Sequence, residues 1–477
     1  MANTDISNEY LSMLKEFWLK EGVQNLIARN SRVLPKFEIL RCVGKEQCIA
    51  VSAGFGGAIS GDYTKALANV ASQGEVSSFH YTPGRLFSLY KVSPAEYEVS
   101  KNHDGATMTI EGVKHAKTTD RTRKVLSGTG LYGKGYGELC VIGATDALST
   151  SADTEYTVPF NVYMQISNGM RLAFKASVTG AEAATMTVVG KGQYNGGNSA
   201  TIKVRGDAAY TPAATDILAI EGATVPLNGS YVPRFPVGLG ALLDVTEKRT
   251  GANWTAHIGQ TFFGVNRASD VNAYCGSFID DSASTNSKKT SLKKALRIAD
   301  AMGSRADLII LNDTDWEELS DEIESQNLYY SNVKDGKGKR DAGVGLSNID
   351  VNFYTTLVEK VVPDSFAPKG TAYILDTKTI KFLSFFDTPY LNADASMQDE
   401  PGKVMNLDEM AGRESTKDPY APLIDGFLSS EPTHDMDGVA TVISFQIRGT
   451  FAILNPSVNV VVKFKASADD NNIAYAL

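Results

Sequence analysis

The spacing of apolar side chains changes several times along the chain, and each change predicts a different kind of element. Tyr10, Leu14, Phe17 or Trp18, and Val23 to Ile27 recur at helical spacing, which predicts a helix over 7–30 with Ser7 as its N-cap. Between 32 and 90 the texture differs. Short strands are predicted at 33–39 and 48–51, and a returning strand at 79–81 and 86–90. Gly54, Gly56, Gly57, Gly61 and Gly74 lie between them, with few large apolar residues. Such a stretch cannot pack a dense core and predicts a long two-stranded extension with a flexible tip. Helical spacing returns over 93–126, where Pro94 suits a first turn and Ile110, Val113 and Ala116 or Lys117 form the stripe. A kink near Gly105 and a stop at Ser127-Gly128-Thr129-Gly130 are expected. Gly133, Gly135 and Gly137 then predict a tight backbone turn ahead of a strand at 139–142.

Period-two alternation dominates 157–245, most clearly at 170–175, 185–189 and 200–204, with Gly/Asn turns at 190–192, 195–198 and 228–229. This predicts a separate small β-sandwich or barrel without helix, inserted between helical regions. After a strand-rich stretch at 254–278 an α/β unit begins. Leu292, Leu296, Ala299 and Met302 share one helix face, closed by Gly303. A buried strand follows at 308–311, then a helix capped by a Thr314/Glu317 box, with Trp316, Leu319 and Ile323 facing its core. A charged loop at 334–341 and strands at 345–354 and 372–375 come next. Two final strands over 441–465 are expected to break at Arg448-Gly449-Thr450, ahead of a polar tail at 466–477.

Composition narrows the function classes. A chain of 477 residues accommodates two to four packed units, at roughly 100–200 residues each. Net charge is −9, from 46 basic and 55 acidic side chains, with no basic tail. That balance argues against gripping nucleic acid by phosphate neutralisation. Charge attraction to nucleic acid is therefore not expected to drive any assembly of this chain. No apolar run of about 18 residues occurs, so no membrane span is expected. The polar start, with Asp5 and Glu9, lacks a signal-peptide pattern, and a cytoplasmic site of synthesis is expected. Cys42, Cys48, Cys140 and Cys275 form no C-x-x-C pair and read as small buried apolar residues.

No catalytic chemistry emerges. His80, His103, His115, His257 and His434 are scattered, with no H-E-x-x-H, and there is no G-x-S-x-G elbow. The 133–137 run is G-x-G-x-G after a helix, which matches neither the dinucleotide fingerprint nor the phosphate loop. Asp313, Asp315, Glu317 and Glu318 fit the positive end of a helix dipole. No catalytic residue, cofactor or metal ligand is assigned.

The order of these pieces resembles the major capsid proteins of tailed bacteriophages, the HK97-fold family. The residues that carry the resemblance are the 48–90 extension and the 104–126 helix closed by Leu131-Tyr132-Gly133-Lys134-Gly135-Tyr136-Gly137. The 292–375 α/β stretch with Leu308-Ile309-Ile310-Leu311 and the terminal Gly449-Thr450-Phe451-Ala452-Ile453-Leu454-Asn455-Pro456 complete it. The resemblance implies an α+β fold with an N-terminal arm (1–47), an E-loop hairpin (48–92) and a peripheral domain with a spine helix (93–156). An inserted small all-β domain (157–245), peripheral return strands (246–289), an axial α/β domain (290–430) and C-terminal peripheral strands (431–477) follow. It also implies a homo-oligomer of hexamers and pentamers forming an icosahedral head that encloses dsDNA without sequence-specific binding. Portal, scaffold or decoration proteins would be partners, and the virion the location, after assembly in the host cytoplasm. Phe17, Trp18, Phe79, Tyr81 and Phe87 are the candidate subunit contacts. Competing readings are a tail-tube or sheath subunit, disfavoured by the helices at 104–126 and 292–325, and a hydrolase with a carbohydrate-binding β-domain.

Overall fold

Among the described residues, three large sheets carry the fold, each assembled from segments far apart in sequence. A computed structural model describes residues 32–42, 45–52, 60–68, 76–92, 110–142, 146–194, 199–227, 230–243, 261–267, 271–327, 360–385, 404–405, 429–434 and 441–465. The predicted helix at 7–30 with Phe17 and Trp18, the loop at 334–341, the strand at 345–354 and the tail at 466–477 lie outside them.

In chain order, β1 (Glu38–Arg41), β2 (Gln47–Ser52), α1 (Tyr63–Ala68), β3 (Val76–Tyr81) and β4 (Gly84–Val92) precede the long helix α2 (Ile110–Val125). Next come β5 (Glu138–Val141), β6 (Thr154–Pro159), α3 (Phe160–Gln165), β7 (Arg171–Lys175), β8 (Glu182–Lys191), β9 (Ser199–Gly206) and β10 (Ile217–Ile220). The hairpin β11 (Thr224–Leu227) and β12 (Ser230–Pro233), the turn α4 (Leu239–Leu242), and the hairpin β13 (Thr261–Phe262) and β14 (Val265–Asn266) follow. The α/β region holds α5 (Val271–Tyr274), β15 (Ser277–Asp280), α6 (Lys288–Ala301), β16 (Leu308–Leu311), α7 (Asp313–Asn327), β17 (Lys360–Pro363) and β18 (Thr371–Leu375). The chain closes with β19 (Ile380–Ser384), β20 (Val404–Met405), β21 (Ser429–His434), β22 (Thr441–Ile453) and β23 (Val460–Lys463).

The first sheet has the order β20-β1-β19-β22-β21, with β4 also paired to β22. The expected break at Arg448-Gly449-Thr450 does not occur, because β22 runs through it. Gly449 is a packing position instead: a Cβ there would stand 2.5 Å from Phe382 Cζ. Two residues on, Phe451 meets the rings of Phe382 and Phe37 edge-on, with centroids 5.0 and 5.8 Å apart. Strand β4 is a second correction. The extension does form, as β2 paired antiparallel with β3 from Gln47↔Tyr81 to Ser52↔Val76. However, 86–90 is not part of its return. Pro83 has no N–H to give a ladder, and after it β4 leaves for β22. The region expected as a loose tip also contains α1.

The second sheet runs β5-β10-β7-β8-β9-β6. Its alternation is as the sequence predicts, with Ala184, Met186 and Val188 of β8 and Ala200, Ile202 and Val204 of β9 inward. It is neither helix-free nor separate. Strands β5 and β6 start before residue 157, α3 and α4 lie within the stretch, and Leu172 and Phe174 share one apolar cluster with Phe382 and Phe451. A six-residue helix such as α3 is too short to show helical period in sequence.

Helix α3 also explains why α2 outlasts its predicted stop. The Gln165 amide oxygen accepts from the Thr129 N–H (2.9 Å) and hydroxyl (2.7 Å). A side chain inserted into the helical ladder widens the turn. The helix therefore passes through a π-turn over Leu126–Gly130. Any Cβ at Gly128 would overlap that Gln165 amide.

The third sheet, β15-β23-β18-β16-β17, is mixed and carries α6 and α7. Ile309 and Leu311 of β16 pack with Leu292, Leu296, Trp316 and Leu319 from the helices, while Leu308 and Ile310 join the main cluster. Ser287 caps α6 by accepting from Thr290 N, and Gly303 closes it at φ 76°. Met302 is the exception on that face, lying half-exposed at the C-cap. The cap of α7 is Asn312, not Thr314. Its Oδ1 accepts from Thr314 N (3.0 Å), and it is held there by donating Nδ2 to the Ala367 carbonyl (2.7 Å).

Candidate assembly surface

The β2–β3 hairpin has two chemically distinct faces, as period-two geometry requires. Its inner face holds Phe79 and Tyr81, both fully buried. Phe79 lies edge-on to Phe262 and Tyr274, at 6.1 and 6.2 Å between centroids. The Tyr81 ring is 4.8 Å from Phe263, and its hydroxyl donates to the Ile453 carbonyl (3.3 Å) and accepts from the Ile453 N–H (3.2 Å). These two residues therefore anchor the base of the extension to the chain's own body and present nothing to another copy. Alternation shows that they share a face but not what that face meets. The outer face carries Cys48, which is exposed, whereas Cys42, Cys140 and Cys275 are buried as expected.

Large apolar side chains do reach solvent nearby in sequence. Phe87 and Leu89 on β4 are 53% and 57% exposed, and Tyr63 and Leu67 on α1 are 79% and 58% exposed. Of these, Phe87 is among the candidate subunit contacts expected from the sequence, whereas Leu89, Tyr63 and Leu67 are not. The last two stand at i and i+4, a spacing that would have placed them on one helix face. Fully burying an exposed side chain of this size is worth about 1.5–3 kcal/mol, and since these are already partly covered, a second surface over them gains a part of that at each.

The glycine turn packs against the 233–238 segment, with Phe235 N donating to the Gly135 carbonyl and Gly238 N to the Gly133 carbonyl. Gly135 and Gly137 have φ of 93° and 68°, a region closed to most side chains. Gly133 approaches the Thr129 carbonyl too closely for any Cβ. The turn is wrapped round the buried Glu138 carboxylate, which accepts the Lys134 N–H and, at 3.0 Å, the Tyr136 N–H. These amides already donate to a carboxyl group of the chain's own, so they form no phosphate cradle. Burial pushes the Glu138 carboxyl up. Lys175, also buried, donates to the Tyr136 carbonyl (3.1 Å) and the Thr224 hydroxyl (3.2 Å), and burial pulls its amine down. Neither charge stands out in the sequence, where nothing marks a lone Glu or Lys as interior.

Tyr132 ties this turn to the third sheet. Its ring packs 5.6 Å from that of Tyr373, and its hydroxyl donates to Asp364 Oδ2 at 2.6 Å. Asp364 Oδ1 accepts from Phe366 N at 3.1 Å. Burial pushes the Asp364 carboxyl up to about 6. Unfolded, the group titrates near 3.9. The folded chain thus binds more protons between the two values, so this residue's contribution to stability falls as pH rises from about 4 to about 6. We predict that Asp364→Asn flattens that part of the stability–pH curve and raises stability at pH 7 by about 2 kcal/mol. Urea unfolding at a series of pH values is the check, and an unchanged slope would refute the assignment.

No protein-family model and no curated protein matches this sequence. Solved structures do. The chain is similar to one in the "Cyanophage A-1(L) capsid asymmetric unit", with a TM-score of 0.50 and 13% identity over 93% of this chain and 95% of that one. The "Capsid of native GTA particle computed with C5 symmetry" aligns with a TM-score of 0.43 and 9% identity over 98% and 99% of the two chains. "Mycobacterium phage Adephagia" aligns at 0.38 and 11% over 97% and 99%. The cyanophage match, running through nearly the whole of both chains, shows that this mixed α+β chain has a capsid-protein fold.

Proposed function

We propose that the chain is a major capsid protein, a subunit that self-assembles into hexamers and pentamers of an icosahedral head enclosing dsDNA. The observation that carries this is the capsid fold extending through 93% of the chain. In this reading β2–β3 is the E-loop, α2 the spine helix, the first sheet the peripheral domain, and the third sheet with α6 and α7 the axial domain. The second sheet is the insertion. Tyr63, Leu67, Phe87 and Leu89 are covered by a neighbouring copy, and Phe17 and Trp18 of the arm dock on another. The acidic balance, −9 overall, fits a container filled by other machinery through a portal, not one drawn together by its contents. Scaffold or decoration proteins are further partners, the virion is the location, and assembly takes place in the host cytoplasm. The role is structural, with no catalytic group assigned.

Electron microscopy of the purified full-length chain is the test. Round shells or rings of hexamers are expected; tubes would favour a tail subunit and overturn the proposal, as would a persistent monomer at high concentration. A Phe87→Ser/Leu89→Ser chain is expected to need at least about tenfold more protein to assemble, since losing even one buried contact of about 1.4 kcal/mol has that effect. Sedimentation across a concentration series measures the shift.

A further inference from the structure

We propose that Glu46, Cys48 and His80 bind a zinc ion on the outer face of the hairpin, a site that the spacing of cysteines and histidines in sequence had argued against. Cys48 and His80 are 32 residues apart, yet they are direct cross-strand partners in the β2–β3 ladder. That register brings Cys48 Sγ to 3.1 Å from His80 Nδ1. Glu46, just before β2, reaches the same nitrogen with Oε1 at 3.5 Å. The three ligand atoms all lie within 4.8 Å of one another. Around a tetrahedral zinc with Zn–S near 2.3 Å and Zn–N near 2.0–2.1 Å, ligand atoms stand roughly 3.3–3.8 Å apart. The Sγ–Nδ1 and Oε1–Nδ1 separations of 3.1 and 3.5 Å already lie close to that range.

Hydrogen bonding within the cluster explains it less well. Nδ1 can make one conventional hydrogen bond, yet a sulfur and a carboxylate oxygen both approach it. Three lone-pair donors converging on one point are what a cation requires, and the thiolate–imidazole–carboxylate set suits zinc. The orientation of the imidazole supports the same reading. Its Nε2 lies 3.0 Å from Ser78 Oγ, so an Nε2–H donated to that hydroxyl leaves the Nδ1 lone pair toward the thiol. The ring lies over Gly264, where a Cβ would come within 3.3 Å of Cδ2, and the His80 N–H donates to the Phe263 carbonyl at 2.8 Å. Two ligands thus stand on paired strands and are preorganised. The thiol gives up its proton to solvent as the Zn–S bond forms. Three protein ligands leave the fourth position to water, the arrangement of an open zinc site.

The site stands or falls independently of the shell proposal. The purified full-length chain, stripped with chelator, would be titrated with Co²⁺ and then Zn²⁺. The expected result is one equivalent per chain, a thiolate-to-cobalt charge-transfer band, and its bleaching by zinc. Cys48→Ser should abolish the band, and Glu46→Gln, at a side chain 52% exposed and outside either strand, should weaken binding without disturbing the fold. Ser78→Ala should weaken binding about 10- to 100-fold, as loss of an outer-shell partner does. A wild-type chain that takes up no metal, or a Cys48→Ser chain that binds as tightly and shows the same band, would overturn the assignment.

Discussion

Gly84→Ala is expected to abolish most soluble, folded protein. A Cβ at residue 84 would overlap the carbonyl carbon and oxygen of Phe235 and the nitrogen of Pro236, all of them backbone atoms. That backbone cannot step aside. Phe235 N donates to the Gly135 carbonyl at 3.1 Å, Gly238 N to the Gly133 carbonyl at 3.1 Å, and the Val237 carbonyl accepts from Phe451 N at 3.2 Å. Gly84 also faces Gly449 across the β4–β22 ladder, and Gly449 is itself closed in by Phe382. Strand β4, the glycine turn and β22 therefore converge where no side chain fits. Overpacking by a methylene where side chains can yield costs about 1–3 kcal/mol. With backbone as the obstacle, at least about 3 kcal/mol is expected, a large part of the roughly 5–15 kcal/mol that holds a domain together. Gly61→Ala is the control, because nothing lies within 4 Å of its added carbon. Calorimetry should show Gly61→Ala near the wild-type midpoint and Gly84→Ala far below it or unfolded. Equal midpoints would mean that the contact is not sterically closed.

Lys288→Met is expected to cost about 3–5 kcal/mol, through the carboxylate it would abandon. Asp315 is 1% exposed and Lys288 16% exposed. The lysine donates to Asp315 Oδ1, and Gly370 N donates to Oδ2 at 2.7 Å. Lys288 also reaches Glu318 at 2.7 Å. Burial pushes the Asp315 carboxyl up even with the ammonium opposing it. The pair therefore only roughly offsets its own desolvation, and removing one member leaves a buried charge uncompensated. Two consequences follow from that cause. Replacing both, as Lys288→Met/Asp315→Leu, should restore most of the loss. The single variant should also improve as pH falls from 7 toward 4, because a carboxyl with a raised folded pKa destabilises once deprotonated. Urea unfolding of the three chains tests both. A double variant as unstable as the single one would show that the loss comes from packing around the Lys288 stem.

Elements whose cause is local were legible in the chain. Helix α6 was readable because Leu292, Leu296 and Ala299 fall on one face and Gly303 closes it at positive φ. Strand β16 was readable as four consecutive apolar residues, and the glycine turn because Gly135 and Gly137 take conformations that few other residues accept. The alternation of β8 and β9 likewise needs only the pleat. Misreadings arose where a distant group decided. The break expected at Arg448-Gly449-Thr450 assumed that the glycine served a turn, when it serves the Phe382 ring. The stop expected at Ser127–Gly130 assumed a helix end, when Gln165 enters the ladder from another element.

By itself, the sequence determined periodicity, turn chemistry and net charge, since these depend on neighbours a few residues apart. Tertiary structure alone decided which apolar faces the chain keeps for itself. Phe79, Tyr81 and Phe87 read alike as aromatic residues on adjoining strands, yet the first two are sealed by Phe262, Phe263, Tyr274 and Ile453, and the third stands in solvent. It also decided every charged or ligating pair on which stability and chemistry turn. Asp315 meets Lys288 across 27 residues, Tyr132 meets Asp364 across 232, and Cys48 meets His80 through a strand register. Burial and contact depend on where distant segments come to lie, and periodicity along one segment carries no information about its partner in space.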